Sequence, residues 1–296
     1  MSDPLVTVIT PSLNQGQFIE EALRSVFEQD YPRLDHIVMD GGSSDGTIGI
    51  LQDYARRYPD RLVWVSEPDR GPTDALNKGI RRARGEIIGW LNADDLYMLG
   101  AVRKTVEAFQ RAPKAAVVYG RARHVWTHGE DLGEYPVRAP FDWQALAERC
   151  YICQPAAFIR RGPLFEAGLL DERFQNGMDY ELWIRLGKRY EFRFLDADLA
   201  RSRLHPESGT FTRRRELLAA SIRIVRQHYG YVPLSWCYTY VHFLCHGTDQ
   251  FFTPPVMDCR VKILGRLLFL RHNFTRPGYM LATFRERLRA RGADRV

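Results

Sequence analysis

The stretch VTVITPSLNQGQFIEEALRSVFEQ, Val6 to Gln29, decides the fold. Val6–Thr10 is a short β-branched run that ends at Pro11, which reads as a buried strand. PSLNQGQ is polar and glycine-containing, a loop. Phe18–Gln29 spaces its apolar residues as one face of a helix. The same strand–loop–helix unit then recurs. Asp35–Met39 is a second strand, followed by DGGSSDGT and a helix over Ile48–Tyr58. Leu62–Glu67 is a third, followed by PDRGP and a helix over Thr73–Ala83. Glu86–Leu91 is a fourth, and it runs into Asn92-Ala93-Asp94-Asp95. This alternation predicts an α/β fold, a mostly parallel sheet with helices on both faces. The polar clusters SLNQG, DGGSSDG, DRGPTD and NADD all follow strands. The carboxyl ends of parallel strands form the ligand crevice of such a sheet, so these four loops are expected to converge on one site.

Beyond residue 100 the pattern is coarser. Helices are expected at Val102–Arg111, Met178–Gly187 and Glu216–Tyr229, and strands at Ala115–Gly120, Ala157–Ile159 and Phe192–Ala197. The 296 residues are 45% hydrophobic and 26% charged, enough for a sizeable core. Charge is uneven. Residues 201–296 hold 17 Lys and Arg against six Asp and Glu, whereas residues 1–200 hold 25 against 30. Two domains are expected, an acidic α/β body over 1–215 and a helical, basic and aromatic extension over 216–296. Cys150 and Cys153 form a CxxC with no second pair at zinc-finger spacing, so the five cysteines read as reduced thiols. The start MSDPLVTVITPS has no basic segment before an apolar one, so no signal peptide is expected. No apolar run reaches the length of a spanning helix.

The chemistry is concentrated in the loops. Two adjacent carboxylates after an apolar strand repel each other and need a positive partner. A hard divalent cation with oxygen ligands supplies one, and helix capping is the simpler alternative. Neither a Walker loop nor a GxGxxG is present, so backbone amides do not grip phosphate in the usual ways. Asp40, at the end of the second strand, is placed to accept from a base or ribose; Asp45 reads as a helix cap. Asp179 opens a helix as a cap or as a general base. His205, in RSRLHPESG, reads as a surface loop residue or a ligand.

Together VTVITPSLNQGQFIEEALRSVFEQDYP, HIVMDGGSSDGT, EPDRGPTDALNKGI, RGEIIGWLNADD and MDYELWIRL resemble the family 2 glycosyltransferases with their GT-A fold, over about Leu5 to Ser208. The resemblance is to the bacterial branch that builds surface polysaccharides and lipopolysaccharide outer chains. It implies an inverting transfer from a nucleotide-sugar, a UDP-sugar, to a glycan or polyprenyl-linked hydroxyl. NADD stands where the family carries its DxD motif. By the resemblance Asp95 binds Mg²⁺ or Mn²⁺, with Asp94 beside it toward the donor sugar or ribose. Asp40 contacts the base, Pro11 lines the base pocket through its backbone, and Asp69 and Asp74 border the nucleotide and sugar. Asp179 is the catalytic base, His205 a further ligand of the metal or diphosphate. The chain departs from the pattern at Met178, where Glu is common, and at Ala75, where many relatives carry Arg.

The tail adds a partner. Tyr231–Phe252 is aromatic and apolar, and CRVKILGRLLFLRHNFTRPGYMLATFRERLRARG follows Pro254-Pro255 with short apolar stretches between arginines. That combination suits a helix lying on the inner face of the cytoplasmic membrane, or alternatively a packed helical subdomain with a solvated basic face. Nucleic acid is not expected as partner, because the aromatic residues are not interleaved with the basic ones. The competing functional readings are a nucleotidyltransferase, whose glycine-rich basic N-terminal loop SLNQGQFIEE does not supply, and a catalytically silent membrane-associated sugar-nucleotide-binding or scaffold protein.

Overall fold

The structure is a computed structural model that describes residues 3–247 and 257–293, with 286–293 described by backbone alone. The chain divides into two units, Met1–Trp143 with Cys150–Ser208, and Gln144–Arg149 with Gly209–Val296.

The first unit is built on one nine-stranded mixed sheet. Its strands are β1 (Val6–Ser12), β2 (Leu34–Asp40), β3 (Leu62–Ser66), β4 (Ile87–Trp90), β5 (Leu96–Tyr97), β6 (Ala115–Val125), β7 (Asp131–Glu134), β8 (Ala157–Arg160) and β9 (Glu191–Arg203). The order is β3-β2-β1-β4-β8-β6-β9-β5, with β7 added alongside β6. The four amino-terminal strands pair in parallel. β8 is inserted antiparallel between β4 and β6, and β6 pairs in parallel with β9. The interleaved helices are α1 (Ile19–Phe27), α2 (Thr47–Arg57), α3 (Pro72–Arg82), α4 (Ala101–Arg111), α6 (Arg161–Glu166) and α7 (Met178–Gly187); α5 (Trp143–Glu148) falls, but for Trp143, in the second unit.

Strand alternation decides which helix lies where. β1 and β2 are buried on both faces, as parallel strands require. Val6 and Val8 pack with Ala22 and Val26 of α1 and with Val102 and Val106 of α4. Val38, which pairs with Thr10, packs with Ile19 and Leu23 of α1 and Leu51 and Tyr54 of α2. Ile9 and Met39 point to the opposite face and meet α3. A Cβ on Gly79 would come within 2.6 Å of Ile9 Cγ2, so this helix–sheet approach requires glycine. His36 is fully buried beneath Phe27 and hydrogen-bonds Thr10 Oγ1 at 2.8 Å. Burial lowers its pKa to about 3, so it is neutral in the core.

β6 and β9 run well past the expected Gly120 and Ala197. Their outer ends are polar and are held by charge pairs across neighbouring strands: Arg121 Nε meets Asp198 at 2.9 Å and Arg123 Nε meets Asp131 at 3.0 Å. All five cysteines are free thiols.

The second unit contains α8 (Gly209–Thr212), α9 (Arg214–Tyr229), α10 (Leu234–His246), α11 (Cys259–Asn273) and α12 (Pro277–Ala293). Its core joins Ile222, Val232, Cys237, Tyr238, Val241, Val261 and Phe269. Gly265 lets α11 approach the Tyr238 ring, where a Cβ would collide. The buried Asn273 amide clamps the chain by accepting from Val232 N at 2.9 Å and donating to Val232 O and Phe269 O. Asp258 caps α11 by accepting from Val261 N at 2.8 Å. Trp236 and Ser235 tie α10 to Ala147 and Glu148. No helix among the described residues is long and apolar enough to cross a membrane. The tail residues Asp249, Gln250, Phe251, Phe252, Pro254 and Pro255 lie outside the described residues.

Candidate active site

Because β1 to β4 are parallel and in register, Ser12, Asp40 and Ser66 reach the same edge, with Trp90 ending β4 beside β1. The loops beyond these ends bind one another. Asn14 N donates to Ser43 Oγ at 2.7 Å, and Ser44 N donates to Asn14 Oδ1 at 2.9 Å. Gly16 N donates to Asp45 Oδ2 at 2.8 Å, and the same carboxylate accepts from Thr47 N at the start of α2. Asp40 is buried, and its carboxylate accepts from Gly42 N, Ser43 N, Ser43 Oγ and Ser66 Oγ at 2.5–3.0 Å. It holds the DGGSS loop against β3, and a donor from a base would share oxygens that already have four partners. Pro11 pairs with Met39 one residue before this edge.

The DRGPTD loop is fixed by its own charges. Asp69 Oδ1 accepts from Gly71 N at 2.7 Å. Asp74 is buried in the first turn of α3 and is bonded to Arg70 at 2.9 Å and Lys78 at 3.3 Å. Arg70 first, and Lys78 with it, lower the Asp74 pKa to about 2. Arg70 also meets Glu172 at 2.8 Å, and Asn77 exchanges two hydrogen bonds with the Leu170 backbone. The loop is thereby fastened to the segment that leads into α7.

The NADD loop is organised by Asn92. Its Oδ1 accepts from Trp90 Nε1 at 2.9 Å, and its Nδ2 donates to Asp95 Oδ2 at 3.1 Å and Gln154 Oε1 at 3.0 Å. Gln154 in turn donates to Trp90 O at 2.5 Å. Just past the loop, β5 pairs antiparallel with β9, Leu96 opposite Arg201. That pairing brings the end of β9 onto the two aspartates. Arg203 N donates to Asp95 Oδ1 at 2.9 Å. The buried Arg203 guanidinium donates to Asp94 O, Thr127 O and Glu21, with its carbon 5.0 Å above the Phe18 ring. Two residues later His205, its ring tilted against Phe18 with centroids 4.6 Å apart, reaches Asp94 Oδ2 through Nε2 at 3.1 Å.

The geometry sets the two aspartates apart. Asp95, expected to bind the cation, is 3% exposed, and each of its oxygens already accepts a hydrogen bond from the protein. Burial first, and then the charge of Asp94, push its pKa well above the carboxylate range. Asp94 retains 21% side-chain exposure and is the acid that meets His205. Its carboxylate oxygen and the imidazole nitrogen suit a divalent cation. Among the described residues no cluster of three or more His, Cys, Asp or Glu is placed to hold a metal. The pair therefore fits Mg²⁺ or Mn²⁺ only where the remaining positions are filled by a diphosphate and water, as is usual for such ions.

Asp179 is half-buried in the first turn of α7, behind Gly177 in the left-handed conformation. Burial raises its pKa, opposed by the N–H groups of Asp179 and Tyr180, and its charge bears on Tyr135, Cys150 and Cys153. Glu181 on the same helix is committed to Arg185, whose guanidinium also caps Ala167 O and Leu169 O. Met178 occupies the first position of the helix, and Ala75 is buried within α3. Sequence reasoning missed Gln154 and Arg203. Gln154 lies three residues before the expected strand Ala157–Ile159, and Arg203 is one of two arginines in RSRLHPESG; neither carries a pattern that marks it.

Residues 7–167 match the family model described as Glycosyl transferase family 2. An uncharacterized glycosyltransferase of Rickettsia felis is 26% identical over 220 residues, covering 70% of this chain and 35% of that protein. Chondroitin synthase of Escherichia coli is 26% identical over 69% of this chain and 30% of its own length. The chain thus spans about a third of the length of these two relatives. A putative teichuronic acid biosynthesis glycosyltransferase of Bacillus subtilis is 38% identical over 35% of this chain and 41% of its own. Among solved structures, Staphylococcus aureus TarS in complex with UDP-GlcNAc superposes with a TM-score of 0.58 at 17% identity, covering 81% of this chain and 71% of that one. The mannosyltransferase PcManGT from Pyrobaculum calidifontis, in complex with GDP-Man and Mn²⁺, gives 0.59 at 21% identity, covering 96% and 84%. At these identities the likeness speaks for the fold, which is the GT-A arrangement.

Proposed function

Because this chain belongs to the Glycosyl transferase family 2, we propose that it transfers a sugar, with inversion, from a nucleotide-sugar to a hydroxyl of a glycan or polyprenyl-linked acceptor in bacterial surface-polysaccharide synthesis. The observation that carries this reading is the 3.1 Å contact between Asp94 and His205 at the carboxyl edge of the parallel strands. A UDP-sugar is the first donor to test, since TarS is described with UDP-GlcNAc; the GDP-Man of PcManGT makes a guanosine donor the second.

Asp94 and His205 would hold Mg²⁺ or Mn²⁺, which when bound offsets the negative charge that gathers on the departing diphosphate. Arg203 and Asn92 keep the two acids in place from behind. Asp40 braces the loop on the nucleotide side beside Pro11, and Asp69 and Asp74 stiffen the loop next to it. Asp179 accepts the acceptor's hydroxyl proton as that oxygen bonds to the anomeric carbon from the face opposite the diphosphate. The bond from that carbon to the diphosphate breaks, and the nucleoside diphosphate leaves with the electron pair. A carboxylate whose pKa is raised by burial is a stronger base than one in water.

Asp179→Asn is expected to lower kcat by about 10²- to 10⁴-fold while nucleotide affinity stays within about threefold. Proton NMR of the wild-type product should show the anomeric configuration opposite to the donor's. A retained configuration, or an Asp179→Asn enzyme of normal kcat, would contradict the mechanism.

A further inference from the structure

α11 is apolar on two sides. One side, with Val261, Gly265 and Phe269, is buried in the core of the second unit. The other carries Ile263, Leu267, Leu270 and Phe274, which are 58%, 56%, 39% and 69% exposed. Steps of four, three and four residues set these side chains in one stripe along the helix. Scattered exposed leucines need no explanation, but four large apolar side chains in a continuous line form a patch. At 100° per residue, Arg260 and Arg271 fall along one edge of the stripe, and Arg266 and Lys262 along the other. From Cys259 to Phe284 the sequence holds five Lys and Arg and neither Asp nor Glu.

We propose that this face docks on an anionic lipid surface. The four apolar side chains enter the boundary between headgroups and acyl chains, and the arginine and lysine stems lie alongside with their charges at the level of the lipid phosphates. Charge selects this occupant over the others. A second copy of the chain would press one cationic rim against the same cationic rim, since a two-fold contact pairs a surface with itself. Nucleic acid would meet the cations but leave Leu267 and Phe274 against a charged backbone. The helix lies on the surface and does not span, because none of the described helices is long and apolar enough to cross. The proposal does not depend on the transfer reaction.

The 296-residue protein is floated with vesicles of phosphatidylcholine alone and of phosphatidylcholine mixed with phosphatidylglycerol. Binding to the mixed vesicles is expected to be at least about tenfold tighter and to weaken as salt is raised. Ile263→Ser with Leu267→Ser, and separately Arg260→Gln with Arg266→Gln, should each reduce it about tenfold or more. All four positions are exposed, so unchanged circular dichroism and Tm separate lost docking from lost folding. Equal binding to both vesicle types, or variants that bind as wild type does, would overturn the proposal. So would a wild-type dimer in sedimentation velocity that the Ile263→Ser, Leu267→Ser pair makes monomeric. Nucleotide release in vesicle-free buffer, followed in parallel, reports on the transferase reading separately.

Discussion

At Asp94 the carboxylate reaches His205, while one residue further on both oxygens of Asp95 are held by Arg203 N and by Asn92. The two acids should therefore fail differently. Asp95→Ala leaves a buried N–H and a buried amide without their acceptor and is expected to cost about 1–3 kcal/mol in urea unfolding. Asp94→Ala, at a partly exposed position, should change stability by less than about 0.5 kcal/mol yet remove metal-dependent nucleotide binding. A destabilised Asp94→Ala beside a stable Asp95→Ala would reverse the assignment. The sequence marks NADD as a polar loop at a strand end but not which aspartate faces outward, because that depends on β9 arriving from more than a hundred residues away. His36 makes a second prediction. Its pKa is about 3 folded against an ordinary 6.5, so the unfolded chain binds more protons throughout that window. Stability must then decline as pH falls from 6.5 toward 3, by at most about 1.4 kcal/mol per unit from this residue. His36→Gln should flatten the acid limb of stability against pH; parallel limbs in wild type and variant would clear His36 of that role.

Among the elements, legibility followed apolar periodicity. β1 to β4 and their helices were readable because short, largely apolar runs alternate with helical spacing; β1, β2 and β4 are buried on both faces, whereas β3 is a partly exposed edge strand. The two-residue β5, the polar β7 and the outer halves of β6 and β9 were not, because arginine–carboxylate pairs across strands replace the apolar pattern there. These less legible pieces position half of the candidate site. The β5–β9 pairing carries Arg203 and His205 to the NADD loop, and Gln154 supports it from the turn before β8. The helix layer is testable at Gly79. Gly79→Ala puts a Cβ against Ile9 and Met39, so overpacking should outweigh the gain in helix propensity and lower stability by about 1–3 kcal/mol. A more stable Gly79→Ala protein would show that α3 has room to move off the sheet.

For the whole molecule, the uneven charge marks two units of different character, each with its own core. The sequence points to an acidic α/β body and a basic helical tail; that residues 144–149 group with Gly209–Val296 is not legible in it, since a six-residue segment carries no pattern of its own. The central claim is that the loops at the carboxyl edge of the first unit form a metal-dependent transferase site around Asp94 and His205. Its most direct test is nucleotide release by the purified protein from a panel of UDP-, GDP- and dTDP-sugars with Mn²⁺, with and without EDTA. The account predicts release from one donor, abolished by EDTA and by Asp94→Ala. Release that persists in EDTA, or that Asp94→Ala leaves intact, would contradict it.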